Sequence, residues 1–350
     1  MIKFTCEIIN PTEFLMRTEQ YQPEFLLKLY HDMLRIRMIE EAIERDYHKN
    51  QIKSPVHLAI GQEASAVGCN IALTPSDLTY CSHRTHGHYL AKGGDLKAMI
   101  AELHCRETGC AKSLSGSMHL LDKTAGIEGS SAIVAGAIPI ATGFALSLKL
   151  NQSPAVSVVF FGDAATEEGP HWESLNFAIL KKLPIIFVCE NNFYSVCTPL
   201  EDRQPLHVKI ANRAFHFGLS TQEINANDVL AVYEAMSQAL RAVRTGKGPY
   251  YLVTNTYRWR GHQGAGDDST TGYRDTKEVQ HWMQQDPIKI LKTALQERQI
   301  LNSQLDKNYK SKIQTEIEES FQFALESAYP TKAILFDTVY ADSGTNDVVG

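Results

Sequence analysis

Two apolar segments of the chain are each followed by side chains that could bind a cation. Asp163 comes directly after the apolar run 156–161, within the small-residue segment 162–169, and Asn192 follows the run 185–189. Continuous β-branched runs are typical of buried parallel strands, and ligands bind beyond the carboxyl ends of such strands. If the two strands are neighbours, the Asp163 and Asn192 oxygens enter one cleft. Carboxylate and amide oxygens suit Mg²⁺ or Ca²⁺, with diphosphate oxygens and water completing the ligand set.

These residues also have a simpler structural interpretation. Asp163 could cap the helix that follows it, and Asn191 with Asn192 could form a turn. We favour the ligand site, because Gly-Asp after one buried strand and Asn-Asn after the next are seldom found together by chance.

A zinc site is an alternative for a segment rich in histidine. The potential ligands there are His83, His86, His88, His104, Cys105 and Cys110. Zinc prefers such nitrogen and sulfur ligands. Their spacing matches no standard zinc pattern, however, and Arg84 among them would repel a cation. We therefore favour the oxygen-ligand site.

The surrounding pattern alternates between strand and helix. Strands are predicted at 156–161, 185–189 and 250–256, and helices at 23–50, 61–73, 95–108, 170–181 and 227–244. Asp95 and Asn227 are the expected caps of the third and last of these helices. Such alternation predicts βαβ units, and therefore an α/β fold with a parallel sheet flanked by helices. A Rossmann dehydrogenase is an unsuitable alternative, because no Gly-x-Gly-x-x-Gly joins a strand to a helix.

Composition limits the classes of partner. The chain has 350 residues, 43% of them hydrophobic, and a net charge of −6. It can bury a large core, and without a basic stripe we expect no nucleic-acid partner. We expect no membrane span, because no stretch approaches about 18 consecutive apolar residues. Seven scattered cysteines and the lack of an apolar signal segment predict a reduced, cytoplasmic protein.

Several motifs together resemble the alpha subunits of pyruvate, branched-chain 2-oxo acid and acetoin dehydrogenases. The resemblance covers about residues 25–300 and follows the order of motifs in that family. The matching segments are 57–64 (HLAIGQEA), 83–87 (HRTHG), 109–112 (GCAK), 116–119 (GSMH), 162–163 (GD), 183–192 (LPIIFVCENN) and 257–262 (YRWRGH). The resemblance implies a thiamine-diphosphate-binding fold. We expect an N-terminal extension over 1–22, a single cofactor-binding domain with peripheral helices over 23–340, and a flexible tail over 341–350.

The resemblance also implies a cofactor site for thiamine diphosphate and Mg²⁺. The Mg²⁺ ligands would be the side chains of Asp163 and Asn192 and the backbone carbonyl of Tyr194. Further cofactor-binding residues would be His83, Arg84, Ala132, Val134, Ala164, Ala165 and His262. Of these, His262 would also be catalytic, on a lid formed by the polar, Gly-rich segment 260–272.

Two departures from the family pattern concern the same site. The family usually has Tyr at the position of His83 and Gly at that of Ala164. These differences keep open a non-catalytic, degenerate paralogue. We favour an active enzyme, because Asp163, Asn192 and His262 are all present.

The implied partner is a beta subunit, in an α2β2 assembly. In the family this subunit supplies the Glu that activates the cofactor, and this chain has no second α/β domain to provide one. Glu63 is expected to be structural, on a helix at an interface. The substrate would be a small 2-oxo acid, with an acyloin such as acetoin as the alternative, and a lipoyl acyltransferase is a further candidate partner.

Overall fold

The computed structural model describes residues 8–205, 207–268 and 271–337 and centres on a parallel β-sheet. Its strands are β1 Leu78–Cys81, β2 Ile127–Ser130, β3 Ser157–Gly162, β4 Ile185–Asn191, β7 Ser220–Asn225 and β8 Tyr250–Asn255, and a small antiparallel ribbon adds β5 Tyr194–Ser195 and β6 Thr198–Pro199. The order across the six-stranded sheet is β2-β1-β3-β4-β8-β7, and all neighbours are parallel. The predicted α/β fold is therefore confirmed.

Helices cover both faces of this sheet and extend beyond one end of it. They are α1 Pro11–Thr18, α2 Pro23–Tyr47, α3 Glu63–Asn70, α4 His86–Ala91, α5 Leu96–Leu103, α6 Ala137–Leu150, α7 Gly169–Lys181, α8 Leu200–Arg203, α9 Ile210–Phe217, α10 Val229–Arg244, α11 Thr276–Gln284, α12 Pro287–Glu297, α13 Ser303–Glu326 and α14 Ile334–Asp337. Among the residues described, no helix is long and apolar enough to cross a membrane.

The central strands are apolar throughout because both of their faces are buried. In β3, Val159 and Phe161 pack against α6, α7 and α9, whereas Val158 and Phe160 face α10 on the other side. Strand β4 alternates in the same way. Each fully buried side chain of this kind contributes about 1.5–3 kcal/mol. The sheet is thus a rigid platform whose carboxyl edge can position polar residues.

A third apolar core lies among the helices outside the sheet. Residues spaced along α2, such as Leu26, Leu29 and Met33, pack there with α5, α12 and α13. The hydroxyl of Tyr30 donates to Asp306 of α13 at 2.5 Å. Beyond residue 286 the described chain is mostly helical and forms α12, α13 and α14.

Some elements differ from the sequence-based expectations. Helix α5 ends at Leu103, not at 108, because Cys105 adopts a positive φ of 56° and the chain turns away. The cap of α10 is Asp228, which accepts from the Ala231 amide at 2.8 Å, and not Asn227. Strands β1, β2 and β7 were not predicted, since the first two have four residues each and β7 is a polar edge strand.

Part of the expected N-terminal extension packs on the rest of the chain. Helix α1 buries Phe14, and Arg17 pairs with Asp228 at 2.5 Å. The division into 1–22, 23–340 and 341–350 stays a prediction, and the expected flexible tail lies outside the described residues. The cysteines that the structure describes are all free thiols.

A buried carboxylate organises the loop between α5 and the sheet. Glu102 has no exposed surface and accepts hydrogen bonds from the amides of Ala111, Ser113, Ser115 and Gly116 at 2.9–3.0 Å. The Ser115 hydroxyl donates to it as well, at 3.0 Å. These donors satisfy both oxygens of the Glu102 side chain and give the loop one conformation. The loop leads directly into the short 3₁₀ turn Ser117–His119, next to the carboxyl edge of the sheet.

Replacing this carboxylate should loosen the loop. Glu102→Gln leaves one acceptor oxygen and places an amide group against N–H donors, so we expect the free energy of unfolding to fall by about 3 kcal/mol. Urea titration measures the change. The control is Glu107→Gln on the exposed surface, which should stay within about 0.5 kcal/mol of the wild type. Equal stability of the two variants would contradict the role assigned to Glu102.

Candidate functional site

A cleft of about 810 Å³ opens beyond the carboxyl ends of β3 and β4. These strands are direct neighbours, with Gly162 paired to Glu190, so the residues that follow them emerge side by side. All ten residues predicted from the sequence line this cleft: His83, Arg84, Ala132, Val134, Asp163, Ala164, Ala165, Asn192, Tyr194 and His262. The structure thus brings the predicted set together, while the role of each residue stays a prediction.

Asp163 begins a 3₁₀ turn, Asp163–Glu167, at the base of the cleft. It is 1% exposed and forms an ion pair with Arg203 of α8, which also contacts Glu167. Burial raises the pKa of Asp163, although the Arg203 guanidinium acts in the opposite direction. A buried carboxylate of this kind requires a positive partner. The site therefore already holds a positive charge against Asp163.

Gln204, the residue after Arg203, fixes the same turn. Its Nε2 group donates to the hydroxyl of Thr166 at 3.0 Å and to the Glu167 carboxylate at 2.7 Å. Neither Arg203 nor Gln204 was predicted from the sequence to be part of the site. No local motif identifies them, since their partners lie 36–41 residues earlier in the chain.

The two asparagines after β4 have different environments. Asn191 donates to Asn255 at 2.9 Å and accepts from the Phe193 amide at 3.2 Å, which makes it a turn residue. Asn192 lies at the cleft, and its Oδ1 accepts from the Tyr194 amide at 3.2 Å. The Tyr194 hydroxyl donates to Glu278 at 2.7 Å, which anchors its ring on α11. The turn interpretation thus applies to both asparagines, and Asn192, which also lines the cleft, remains a ligand candidate.

Arg84 links three segments at one side of the cleft. Its guanidinium donates to the carbonyl of Leu58 at 2.6 Å and to that of His262 at 3.1 Å. Burial, together with the nearby Arg258, lowers the pKa of Arg84 to about 9. Arg84 therefore remains charged at neutral pH, and the positive potential favours an anionic ligand.

Three histidines pack against one another beside Arg84. The ring centroids of His57, His83 and His262 are 4.7–5.4 Å apart. Burial, followed by the charge of Arg84, lowers the pKa of His57 to about 2, of His83 to about 3 and of His262 to about 4. All three are neutral at pH 7. His57, which is not among the site residues predicted from the sequence, also lines the cleft.

His119, which is also absent from the predicted site, contacts Ala132 in the lining of the cleft. Its Nε2 accepts from the Ala132 amide at 3.3 Å, and its Nδ1 lies 3.2 Å from the Ser115 carbonyl. This pair of contacts assigns the proton to Nδ1. His119 thereby connects the loop held by Glu102 to a residue that lines the cleft.

The alternative zinc cluster does not form within the described part of the chain. His86 lies between Glu40 at 2.6 Å and Ser117 at 2.8 Å, and His88 lies between Asn70 and Glu190, each at 3.0 Å. Their ring nitrogens are therefore engaged in separate buried networks.

An arginine network holds the segment that carries His262. Arg258 donates to the carbonyls of Arg260 at 2.8 Å and Val196 at 2.6 Å. Arg274 donates to the Arg260 carbonyl at 3.0 Å and to Asp268 at 2.6 Å. Arg258 thus supports the loop that carries His262. Residues 269 and 270 of the predicted lid lie outside the described residues.

Glu63 is not available as a catalytic acid. It is fully buried and pairs with both Nε and Nη2 of Arg37, at 2.5 and 2.9 Å. Helix α3, on which it lies, is buried along its whole length within this chain. The expected structural role of Glu63 agrees with these contacts.

Known proteins share this sequence over most of its length. The family model described as dehydrogenase E1 component matches residues 31–333. The alpha subunit of an acetoin:2,6-dichlorophenolindophenol oxidoreductase from Bacillus subtilis is 37% identical over 317 residues, which cover 91% of this chain and 94% of that protein. A pyruvate dehydrogenase E1 component alpha subunit from Porphyra purpurea is 36% identical and covers 91% and 93%. The mitochondrial pyruvate dehydrogenase E1 alpha subunit of Saccharomyces cerevisiae is 35% identical and covers 96% and 79%. This chain therefore belongs to the dehydrogenase E1 component family, whose members depend on thiamine diphosphate, and within it to the alpha subunits.

Proposed function

We propose that this chain binds the diphosphate of thiamine diphosphate through Mg²⁺ and, with a beta subunit, oxidatively decarboxylates a 2-oxo acid. The observation that carries the proposal is the position of Asp163, Asn192 and Tyr194. All three line one cleft at the carboxyl ends of two adjacent strands, and Asp163 is a buried carboxylate already paired with a cation.

The chemistry of these residues fits Mg²⁺. A carboxylate, an amide oxygen and a backbone carbonyl are hard oxygen ligands, and Mg²⁺ commonly combines one or two protein carboxylates with phosphate oxygens and water. In our proposal, the side chains of Asp163 and Asn192 and the carbonyl of Tyr194 hold the ion. Arg203 then gives up its contact with Asp163, because the ion supplies the positive charge that the buried carboxylate needs.

The cleft also fits a diphosphate. Its lining includes small residues, among them Ala132, Gly162, Ala164 and Ala165, so backbone groups are accessible to a ligand. Ala164 is not among the residues with a positive φ. The backbone therefore does not require Gly at this position, and the difference from the family pattern gives little support to a degenerate paralogue. Arg84 adds a positive charge that can bind the diphosphate independently of Mg²⁺.

His262 is placed to handle a proton at the mouth of this cleft. When bound, thiamine diphosphate supplies the nucleophile and electron sink that decarboxylation of a 2-oxo acid needs. The imidazole of His262 is neutral above about pH 4, so one ring nitrogen can accept a proton while the other donates a hydrogen bond. Its backbone is fixed by Arg84, which keeps the ring at the cleft.

The beta subunit completes a site that this chain leaves unfinished. Alpha subunits of this family work with such a partner. Among the described residues that line the cleft, Asp163 is the one acidic side chain, and our proposal uses it for Mg²⁺. The activating Glu must therefore come from another chain. We propose that the beta subunit provides it, in an α2β2 assembly.

An apolar face next to the cleft suits this partner. Helices α6, α7 and α9 lie on one side of the sheet. Together with the segment that leads into α6, they expose the apolar residues Ile133, Val134, Ile140, Leu150, Phe177, Leu180, Phe215 and Phe217. Ile133 and Val134 belong to this apolar face and also line the cleft. A chain docked on the face would thus cover the open side of the site and exclude water.

Acetoin or a related acyloin is a second candidate substrate. The Bacillus subtilis relative named for acetoin and the Porphyra purpurea relative named for pyruvate are almost equally similar, at 37% and 36% identity. In our proposal the beta subunit forms part of the substrate pocket. A lipoyl acyltransferase would be a partner if the substrate is a 2-oxo acid.

Removal of the Asp163 charge should abolish most cofactor binding. With the beta subunit present, Asp163→Asn should weaken Mg²⁺-dependent binding of thiamine diphosphate by roughly 100-fold, because a metal-ligand contact is lost. Calorimetric titration measures the affinity. Asp202→Asn, on the exposed surface of α8, is the control and should bind normally. Tight binding by Asp163→Asn would contradict the proposed Mg²⁺ site.

Arg203 should matter most in the absence of the cofactor. Arg203→Gln leaves the Asp163 carboxylate buried without a cation, so Tm should fall by roughly 5 °C. Mg²⁺ with thiamine diphosphate should remove most of this difference, because the ion replaces the lost charge. Differential scanning calorimetry with and without the cofactor tests this, with Arg203→Lys as the charge-conserving control. An equal loss of Tm in both states would rule out replacement of Arg203 by the ion.

A charge on the apolar face should disrupt the assembly. Ile140 is exposed on α6, and Ile140→Asp should weaken association with the beta subunit by roughly 10-fold or more. Analytical ultracentrifugation of the mixed subunits measures association. Met16→Asp on α1 is the matched control, since Met16 is also an exposed apolar side chain but lies outside this face. Unchanged association of Ile140→Asp would show that the partner docks elsewhere.

A further inference from the structure

A buried glutamate outside the cleft holds two distant segments of the chain together. Glu40 lies on α2 with no exposed surface and is not among the residues that line the cleft. Its Oε2 atom accepts from the Ala59 amide at 2.6 Å, and its Oε1 atom lies 2.6 Å from Nδ1 of His86. Both oxygens of this one side chain are therefore engaged, one with the segment before α3 and the other with the start of α4.

His86 extends the connection to a third segment. Its Nε2 atom lies 2.8 Å from the hydroxyl of Ser117, and the Ser117 amide donates to the hydroxyl of Ser54 at 2.7 Å. Glu40, His86 and Ser117 have no exposed surface, and each contact is stronger in such an environment than it would be in water. Met118, the next residue, lines the cleft. The network thus runs from α2 to the wall of the cleft.

Arg84 lies between the two contacts of Glu40. Its guanidinium donates to the carbonyl of Leu58 at 2.6 Å, and Leu58 directly precedes Ala59, whose amide donates to Glu40. Along the chain, Arg84 is two residues before His86, which contacts the other oxygen of Glu40. The carboxyl group therefore fixes both the backbone next to Arg84 and the carbonyl to which its guanidinium is bound.

The carboxyl group of Glu40 also favours the charged form of Arg84. Burial lowers the pKa of Arg84 most, and the Arg258 guanidinium lowers it further, whereas Glu40 and Glu190 act in the opposite direction. Glu190 lies in β4, two residues before Asn192. Glu40 is on a different element from the predicted Mg²⁺ ligands, so a change at Glu40 tests the support of Arg84 separately from the ion.

We propose that Glu40 is a positioning residue for the diphosphate site, which holds Arg84 in its binding orientation through the Ala59 amide and through His86. The inference rests on the proposed function, in which Arg84 binds the diphosphate. A binding group that is held in place before the ligand arrives loses less conformational freedom on binding, so the affinity is higher. Loss of Glu40 would free the guanidinium without removing any group that lines the cleft.

A double-mutant cycle distinguishes positioning of Arg84 from a general effect on stability. In the complex with the beta subunit, Glu40→Gln keeps the shape of the side chain and should weaken Mg²⁺-dependent binding of thiamine diphosphate by roughly 10-fold. Arg84→Gln should weaken binding more, and in that background Glu40→Gln should cause no further loss. Calorimetric titration measures the four affinities. Losses that multiply in the double variant would overturn the proposal.

A milder variant and a matched control accompany the cycle. Ser117→Ala removes the hydroxyl at the far end of the network and should weaken binding by roughly 3-fold. Glu24→Gln, at an exposed position on the same helix, should bind as the wild type does, and circular dichroism confirms that each variant is folded. With the cofactor at saturation, kcat of Glu40→Gln should stay within about 2-fold of the wild type, because the lost contribution is to binding. A loss of kcat as large as the loss of affinity would contradict a positioning role.

Hydrogen exchange tests the same network without any cofactor. In the complex with the beta subunit, Glu40→Gln should speed amide exchange by at least about 10-fold in the segments around Ala59, His86 and Ser117, and leave β3 and β4 unchanged. Faster exchange at Ala59 alone, or throughout the chain, would overturn the proposal. If the wild type itself does not bind thiamine diphosphate, the proposed function is wrong, whereas the exchange rates still decide whether Glu40 organises the wall of the cleft.

Discussion

The buried carboxylate of Asp163 is the constraint around which the cleft is arranged. At 1% exposure it must have a positive partner, and in the structure Arg203 provides that charge. The apolar strands β3 and β4 place this carboxylate in a buried position. Because the two strands are parallel neighbours, Asn192 after β4 reaches the same cleft as Asp163 after β3. The same arrangement therefore both requires a cation and offers oxygen ligands for one. We propose that a metal ion bound to the diphosphate replaces the Arg203 guanidinium, so that this carboxylate has a positive partner in both states.

Much of this arrangement could be predicted from the sequence, because its signals are local. Continuous apolar runs identified β3, β4 and β8, and the residues directly after the first two identified Asp163 and Asn192. The four-residue strands β1 and β2 give no comparable signal, and the polar edge strand β7 has no apolar pattern. Arg203 and His57 reach the cleft only through tertiary packing, so their part in it follows from the structure alone.

The cleft is also open to solvent on one side. In our proposal the beta subunit covers this open side. Ile133 and Val134 lie at the boundary between the cleft and the apolar face of α6, α7 and α9. In our proposal Asp163 binds the metal ion, and Glu63 is paired with Arg37, so no acidic group for activating a cofactor remains among the described residues that line the cleft. In our proposal, binding of the diphosphate and completion of the catalytic set belong to different subunits, and the two subunits meet at the exposed apolar face.

The most direct test of the central claim uses Mn²⁺ in place of Mg²⁺ in the complex of this chain with its beta subunit and thiamine diphosphate. Pulsed electron–nuclear double resonance then reports which nuclei are bonded to the ion. The account predicts strong phosphorus coupling from the diphosphate in the wild type, and its loss in Asp163→Asn. Phosphorus coupling that persists unchanged in Asp163→Asn, or none in the wild type, would contradict a metal held by Asp163 against the diphosphate.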